Sequence, residues 1–561
     1  MSEERKGITR RSFLEMVGLA GGAAAVWEVS EALGLVRGPE AWAGPPRIEA
    51  GSGAGRSVLV LGAGVGGLTA TYELLRAGYD CTVLEAQDRL GGRSLTARNG
   101  SVIREESPEH GATEQTCRFA DGLYLNMGPG RLPYHHRRVL HYSRELGVAL
   151  EIYVMTTTAN LFQTDEAFGA KALPRRQIMA DTRGYISELL AKSVRQFDLD
   201  AQLGREDADR LLSLLRVFGD LDDRWRYTGS TRAGCRFPLT VKEACEAPCP
   251  VPLDDLLNAE FWEHRFYQPE DYEWQPTLFQ PVGGMDGIVE GFRRGIGRVA
   301  SKPVDQVLRQ GVEVTEIRLF DDGVEVTYRE RATGRTGTER ADFCISNIPV
   351  PILAGIPAGF SPDFQAAVDH VRFAPTCKVG WQAEERFWES DRYEIYGGIS
   401  FIDHLITQMW YPSEGYFGAR GTLTGAYNFT RAATELGRMS LADRLRAARQ
   451  GGIRLHEEFA EDRIVPERLG LSIAWQNVPF QKGGWAEWSD TPEDRAAYAR
   501  LLAPDGRFHV VGDQVSTLPG WQEGAMMSAE HVVEQIAGIR PLTVPEIDQA
   551  PETRRLVEGL F

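Results

Sequence analysis

The residues with the plainest chemical purpose lie between Arg56 and Arg93. An apolar run, Val58 to Leu61, ends in Gly62-Ala63-Gly64-Val65-Gly66-Gly67 and passes into a helix-like segment, Leu68 to Arg76. A turn at Gly78 leads into a second apolar run, Cys81 to Leu84, closed by Glu85. In this pattern Gly62 permits a tight turn, Gly64 lets the backbone approach a pyrophosphate, and Gly67 lets the helix pack on the strand, with Gly66 inside the same loop. The helix N-terminus presents free N–H groups and a positive dipole end to phosphate, and Glu85 offers acceptors to ribose hydroxyls. A lone glycine pattern is weak. Here strand, loop, helix, second strand and terminal acid stand in register, which makes a βαβ unit that binds a dinucleotide.

The elements that must position this loop come from a long chain. Its 561 residues suffice for two or three domains and a large core. A net charge of −17 argues against nucleic acid or an anionic membrane as partner, since either favours a basic patch. At the N-terminus, Thr9-Arg10-Arg11-Ser12-Phe13-Leu14 precedes an apolar run, Met16 to Trp27, and a small-residue site, Ala41-Trp42-Ala43. This order resembles a twin-arginine export signal. The resemblance implies that residues 1–43 are a signal peptide and that the protein is periplasmic or secreted, loading its cofactor before export. The apolar run falls short of the ~20 residues a membrane helix needs, so no stable membrane span is expected. The seven cysteines form no even framework. Cys245 and Cys249 flank the turn Glu246-Ala247-Pro248-Cys249-Pro250 and leave one disulfide or none. No metal site is expected, because the histidines lack ligand spacing and His135-His136 falls on an expected helix, Tyr134 to Leu146, where neighbours face different directions.

Further along, apolar residues at helical spacing over 183–220 predict a helical subdomain whose charges form a solvated outer face. Alternation in Val312 to Ile317 and Val324 to Tyr328, with Asp322-Gly323 between them, predicts an antiparallel hairpin. Phe343 to Asn347 reads as a further buried strand.

Several segments resemble the FAD-dependent L-amino-acid oxidases of the flavin monoamine oxidase superfamily. Arg89-Leu90-Gly91-Gly92-Arg93 is similar to that family's extended nucleotide fingerprint, which implies FAD with Arg93 near the pyrophosphate. Asn126-Met127-Gly128-Pro129-Gly130-Arg131-Leu132-Pro133 resembles the segment whose arginine grips the substrate carboxylate, a task suited to the planar guanidinium fork. Phe279-Gln280-Pro281-Val282-Gly283-Gly284-Met285-Asp286 resembles the turn that returns the chain to the FAD domain. Ala374-Pro375-Thr376-Cys377-Lys378 resembles the strand carrying a lysine beneath the flavin, where a cation helps reoxidation by O₂. Gln408-Met409-Trp410-Tyr411-Pro412 implies a second carboxylate contact from Tyr411. Trp475 is expected against the flavin and Trp485 beside the substrate side chain. Val511-Gly512-Asp513 and Leu518 to Met526 resemble the C-terminal FAD motif, with Asp513 on the ribityl chain, the Gly520 carbonyl on the substrate amine, and a helix opening near Trp521. The resemblance also places Gly128, Arg131 and Val314 at the cofactor. Where monoamine oxidases carry a flavin-binding cysteine, Gly483-Gly484-Trp485-Ala486 stands, so the FAD is expected to be noncovalent.

The implied fold is α/β: an interleaved Rossmann-like FAD-binding domain of the amine oxidase type (55–99, 278–370 and 504–541), a mixed α+β substrate-binding domain (100–150 and 371–503), and a helical insertion (151–277). The implied reaction is oxidative deamination of an L-amino acid by O₂, giving a 2-oxo acid, ammonia and H₂O₂, with Arg131, Tyr411 and Lys378 as the working side chains. A monoamine or polyamine oxidase, a tryptophan 2-monooxygenase, and an exported FAD-containing binding protein are the alternatives. Small molecules are the expected partners, with a homodimer left open.

Overall fold

The computed structural model of the chain describes residues 42–196, 204–545 and 547. The expected signal peptide therefore lies outside the described residues except for Trp42 and Ala43. The β-branched and leucine-rich run at Ser57–Leu61 forms strand β1, which leads through the glycine loop into helix α1 (Val65–Arg76) and strand β2 (Asp80–Glu85). Three strands from distant parts of the chain complete the sheet: β3 (Leu308–Gln310), β4 (Phe343–Ser346) and β5 (Phe508–Val510). The order is β3-β2-β1-β4-β5 and every pairing is parallel. Such strands are covered on both faces, which explains the apolar run of the central strand β1, whereas the edge strand β3 carries Arg309 and Gln310. Helix α1 packs on α2 (Gln522–Ile536), and Val60, Leu68, Val83, Phe292, Met526 and Val533 belong to one buried core.

The predicted hairpin forms, with Val312–Phe320 antiparallel to Gly323–Glu330. Its loop is Asp321-Asp322 rather than Asp322-Gly323, and Gly323 opens the second strand opposite Phe320. The register shifts between Val314 and Glu316, which marks a bulge at Thr315.

A second large sheet of seven strands runs in the order 173–174, 161–163, 399–402, 408–410, 421–429, 376–383, 470–474. Two of its strands, Leu161–Gln163 and Leu173–Pro174, lie within the stretch expected to be helical, so helix begins at Arg175–Arg195 and continues at Arg205–Gly219. The helix expected from Tyr134 starts at Arg137, because Leu132–Pro133 pairs as a strand with Leu278–Phe279. His135 and His136 precede it, and the buried Glu523 carboxylate caps its first turn by accepting from the N–H groups of Arg138 and Val139 (3.1 and 2.9 Å). Cys245 pairs with Cys235, not Cys249, and Cys249 is an exposed thiol.

Glu105 and Arg444 form a buried bidentate ion pair, at 2.9 and 3.0 Å. Glu105 also accepts from the Ala474 N–H at 2.9 Å, so this carboxylate ties the Val102–Ser107 strand to the seven-stranded sheet. Removing one partner strands a buried charge at a cost of about 3 kcal/mol or more. Glu105→Gln is expected to lower the unfolding midpoint in urea, whereas an unchanged midpoint would show that the pair contributes nothing net.

Candidate active site

At the carboxyl ends of β1 and β4 lies a cavity of about 430 Å³. The strand order reverses between these two strands, which is where open α/β sheets bind ligands. Of the residues expected at a cofactor, Gly62, Gly64, Gly66, Glu85, Arg93, Gly128, Val314, Trp475, Asp513 and Trp521 line it. Gly67 does not. A β-carbon there would strike the Gly62 carbonyl oxygen, so Gly67 serves helix packing beneath the loop. A β-carbon on Gly64 would meet the side-chain amide of Asn347, which follows β4 and also lines the cavity. Sequence reading takes Asn347 only as a strand end, since nothing local shows that it faces the glycine loop. The Glu85 carboxylate accepts from the N–H groups of Ala63 and Gln87, both at 2.8 Å, and burial pushes its pKa up.

Arg93 forms a two-pronged ion pair with Asp513, one prong at 2.9 Å, and donates to the Gly484 carbonyl. Asp513 also accepts from the Gly520 N–H at 2.7 Å. Gly520 holds a φ of +82° with the Trp485 ring against it, a conformation that suits glycine. Directly after this turn, Trp521 precedes the first residue of α2, and Gln522 and Ala525 bring the helix N-terminus to the cavity wall.

A second cavity of about 90 Å³ adjoins the first, with Pro129, Tyr427, Trp485, Gly520 and Trp521 lining both. Arg131 faces this second cavity alone, which corrects its expected place at the cofactor. Its guanidinium carbon sits 4.1 Å from the ring centre of Trp274, 4.5 Å from Trp410 and 5.8 Å from Trp521. Its Nε has no hydrogen-bond partner, and among the described residues no carboxylate pairs with it. Burial alone pulls its pKa down. The Tyr153 hydroxyl beside it carries no charge, and a guanidinium without a counter-charge in such surroundings is costly unless an anion arrives.

Tyr411 does not join Arg131. Neighbouring residues on a strand face opposite ways, so with Trp410 turned toward Arg131 the next side chain points into the core. There the Tyr411 hydroxyl meets Ser400 Oγ at 2.9 Å and His456 Nε2 at 2.5 Å. The phenol that does reach the second cavity is Tyr427, which also lines the larger one. Gln268 and Trp274 enter from the stretch expected to be a helical insertion, and no periodicity marks them. Lys482 is exposed.

Lys378 pairs across strands with Tyr427, and its ammonium lies 4.3 Å from that ring's centre. Nζ donates to the carbonyls of Gly128 (2.5 Å) and Asn126 (3.1 Å), the loop that carries Arg131. Burial, with Arg131 adding repulsion, pushes its pKa down to about 7. Lys378 lines a third, small chamber on the far side of Gly130 and Trp410, and neither larger cavity. Among the described residues no group of histidines, cysteines and carboxylates could hold a metal ion, and no helix is long and apolar enough to cross a membrane.

The sequence profile of the family described as flavin containing amine oxidoreductase matches residues 65–537. The flavin-dependent L-tryptophan oxidase RebO of Lentzea aerocolonigenes is 28% identical over 508 residues, covering 86% of this chain and 98% of that protein. An L-amino-acid oxidase of Siganus canaliculatus is 24% identical, covering 84% and 83% respectively. Among solved structures, cyclohexylamine oxidase from Brevibacterium oxydans superposes with a TM-score of 0.55 at 16% identity, covering 86% of this chain and 99% of that one. The shared fold is the Rossmann-like flavin-binding sheet with its interleaved second domain.

The low proton affinity of Lys378 has a sign that can be measured. With its folded pKa near 7 and an ordinary value of 10.5, the folded chain holds fewer protons than the unfolded chain between those limits. Stability therefore rises with pH across that window and the cost of burying the charge is fully present below it. Relative to Lys378→Met, the wild-type melting temperature is expected to climb from pH 7 toward pH 10. A pH-independent difference between the two proteins would count against this account.

Proposed function

Because this chain belongs to the flavin-containing amine oxidoreductases, we propose that it oxidises the α-amino group of an L-amino acid, with FAD as its flavin and O₂ as final acceptor. Arg131 carries the reading: a buried cation with no carboxylate of its own, facing the cavity that adjoins the flavin cavity. An amine lacking a carboxylate would leave that charge unanswered.

The residues present suit FAD. The glycine loop and the N-terminus of α1 would hold the pyrophosphate, Glu85 a ribose, Arg93 and Asp513 the middle of the molecule, and Trp475 and the N-terminus of α2 the ring system. No cysteine lines this cavity, which supports noncovalent binding. When bound, the flavin supplies the acceptor for the substrate's hydride and electrons.

The protein's own contribution is orientation. Arg131 takes the carboxylate through parallel charge-assisted hydrogen bonds, and Tyr427 replaces Tyr411 as the second donor. The Gly520 carbonyl accepts from the amine. Trp274, Trp410 and Trp521 exclude water around the guanidinium and strengthen its grip. No acid or imidazole lines the substrate cavity, so substrate enters with a neutral amine and positioning of Cα does the work. That same absence, beside Arg131 and Lys378, disfavours cationic side chains. Release of keto acid and peroxide, as opposed to an amide, completes the oxidase reading.

The twin-arginine segment supports export, and the Cys235–Cys245 disulfide suits an oxidising compartment. Replacing Arg10 and Arg11 together by lysine is expected to retain the protein in the cytoplasm, and undiminished export would overturn the assignment.

Anaerobic mixing with L-amino acids is expected to bleach the flavin, neutral aromatic ones fastest. Failure of every L-amino acid, or fastest bleaching by lysine, arginine or a diamine, would sink the proposal. Arg131→Ala should lower kcat/KM by about a hundredfold, since two charge-assisted bonds contribute roughly 3 kcal/mol or more. Acid precipitation should leave the yellow colour in the supernatant; colour in the pellet would mean a covalent flavin.

A further inference from the structure

The third chamber, about 50 Å³, is walled by Lys378, Tyr124, Tyr153, Trp410, Tyr411 and Glu414. The buried Tyr124 hydroxyl has no hydrogen-bond partner among the described residues, and the buried Tyr153 hydroxyl meets only the Arg131 guanidinium, which leaves its own proton without an acceptor, an arrangement that is costly in a dry cavity. A water needs some 10–15 Å³ of such space and two or more polar partners, so the chamber has room and partners for a few waters. On its outer side the Glu414 carboxylate accepts from the Gln280 side-chain amide at 3.1 Å, and the same nitrogen donates to Glu151 at 2.8 Å. Glu414 and Glu151 thus share one amide, and Glu151 is only half buried.

We propose that this chamber holds a short water chain through which Lys378 exchanges a proton with Glu414, and so with solvent, on the side away from the flavin cavity. When Lys378 Nζ gives up a proton the Glu414 carboxylate gains one by way of the Tyr124 and Tyr153 hydroxyls, and the reverse transfer restores both groups. No electrons move in this step. The charges facing the two ends are compatible with it. Lys378 faces Arg131, Tyr427 and Trp410 and shares the chamber wall with Tyr153, and repulsion from Arg131 favours release of the proton. Glu414 meets Glu151, Arg386, Tyr124, Tyr153 and Tyr396; burial and then the Glu151 charge raise its proton affinity, while the Gln280 hydrogen bond and the Arg386 charge oppose this. Glu414 is accordingly a positioning and relay residue that touches neither substrate nor flavin. The relay rests on the oxidase reading only for its use, which is to supply and remove protons as O₂ is reduced to peroxide.

The test has two parts. A high-resolution crystal structure of the holoenzyme is expected to show ordered water bonded to both tyrosine hydroxyls, and a dry or collapsed chamber would overturn the proposal. In stopped flow, the flavin is reduced photochemically, so that no substrate is needed, and then mixed with O₂. Glu414→Gln and Tyr124→Phe are each expected to slow reoxidation roughly tenfold or more and to alter its pH profile and solvent deuterium effect. Anaerobic reduction by an L-amino acid should stay within about twofold of wild type in both variants. Unaltered reoxidation in a folded variant, or equal losses in both half-reactions, would reject the relay. If no L-amino acid reduces the enzyme yet photoreduced variants reoxidise slowly, the relay stands and the substrate assignment falls.

Discussion

The site depends most on one carboxylate, Asp513. It receives the Arg93 guanidinium from the end of the first nucleotide-binding unit and the Gly520 N–H from the last turn before α2. Residues more than four hundred positions apart are thereby fixed to one another. Arg93 also reaches the Gly484 carbonyl, next to Trp485, so the ion pair aligns the walls of both cavities. A β-carbon on Gly128 would collide with the Arg93 carbonyl, so the loop bearing Arg131 is built directly on the same backbone. Losing this carboxylate would release three segments together, which is why the ordinary low price of a surface ion pair is a poor guide here.

Against that frame stand buried charges that destabilise the empty fold. Arg131 and Lys378 lie close enough for one to depress the other's proton affinity, and both are wrapped in aromatic rings. Cation–π contacts return about 1–2 kcal/mol each at desolvated sites, less than the several kcal/mol that burying each ion costs. Lys378 relieves its share by losing a proton and bonding two carbonyls. A guanidinium has no such escape near neutral pH, so for Arg131 the remaining relief is an anionic ligand. Ligand affinity and the instability of the empty site have the same origin.

Much of this could be read from sequence because the cofactor-side residues sit in short, continuous motifs. Gly62 to Gly67, Glu85, Arg93 and the turn ending in Trp521 each carry their local geometry in their spacing, and β1, β2 and β4 follow from buried apolar runs. The substrate side was less legible. Tyr411 is expected at the carboxylate, but it directly follows Trp410 at the end of a strand, and one residue reverses the face. Tyr427 meets Lys378 only through cross-strand pairing, which no local pattern specifies. Trp274 arrives at the end of irregular backbone between 260 and 277, where neither a period of two nor of 3.6 operates. The pairing of Cys235 with Cys245 likewise depended on how a loop folds back.

Aromatic rings also attract cations, so an indole-lined pocket could in principle welcome lysine or a diamine, and the competing terms must be weighed. The faces of Trp274, Trp410 and Trp521 are already occupied by Arg131, and Trp410 and Tyr427 are shared with Lys378. What an incoming ammonium gains from these rings is therefore small, while repulsion from a guanidinium a few ångströms away in a dry cavity amounts to several kcal/mol. Arg265, whose guanidinium carbon lies 4.9 Å from the Phe429 ring centre, adds further positive charge behind the same wall. With no acid among the lining side chains to reverse the sign, the rings act as apolar surface. The cavity thus offers a buried cation to an anion and no counter-charge to a second cation.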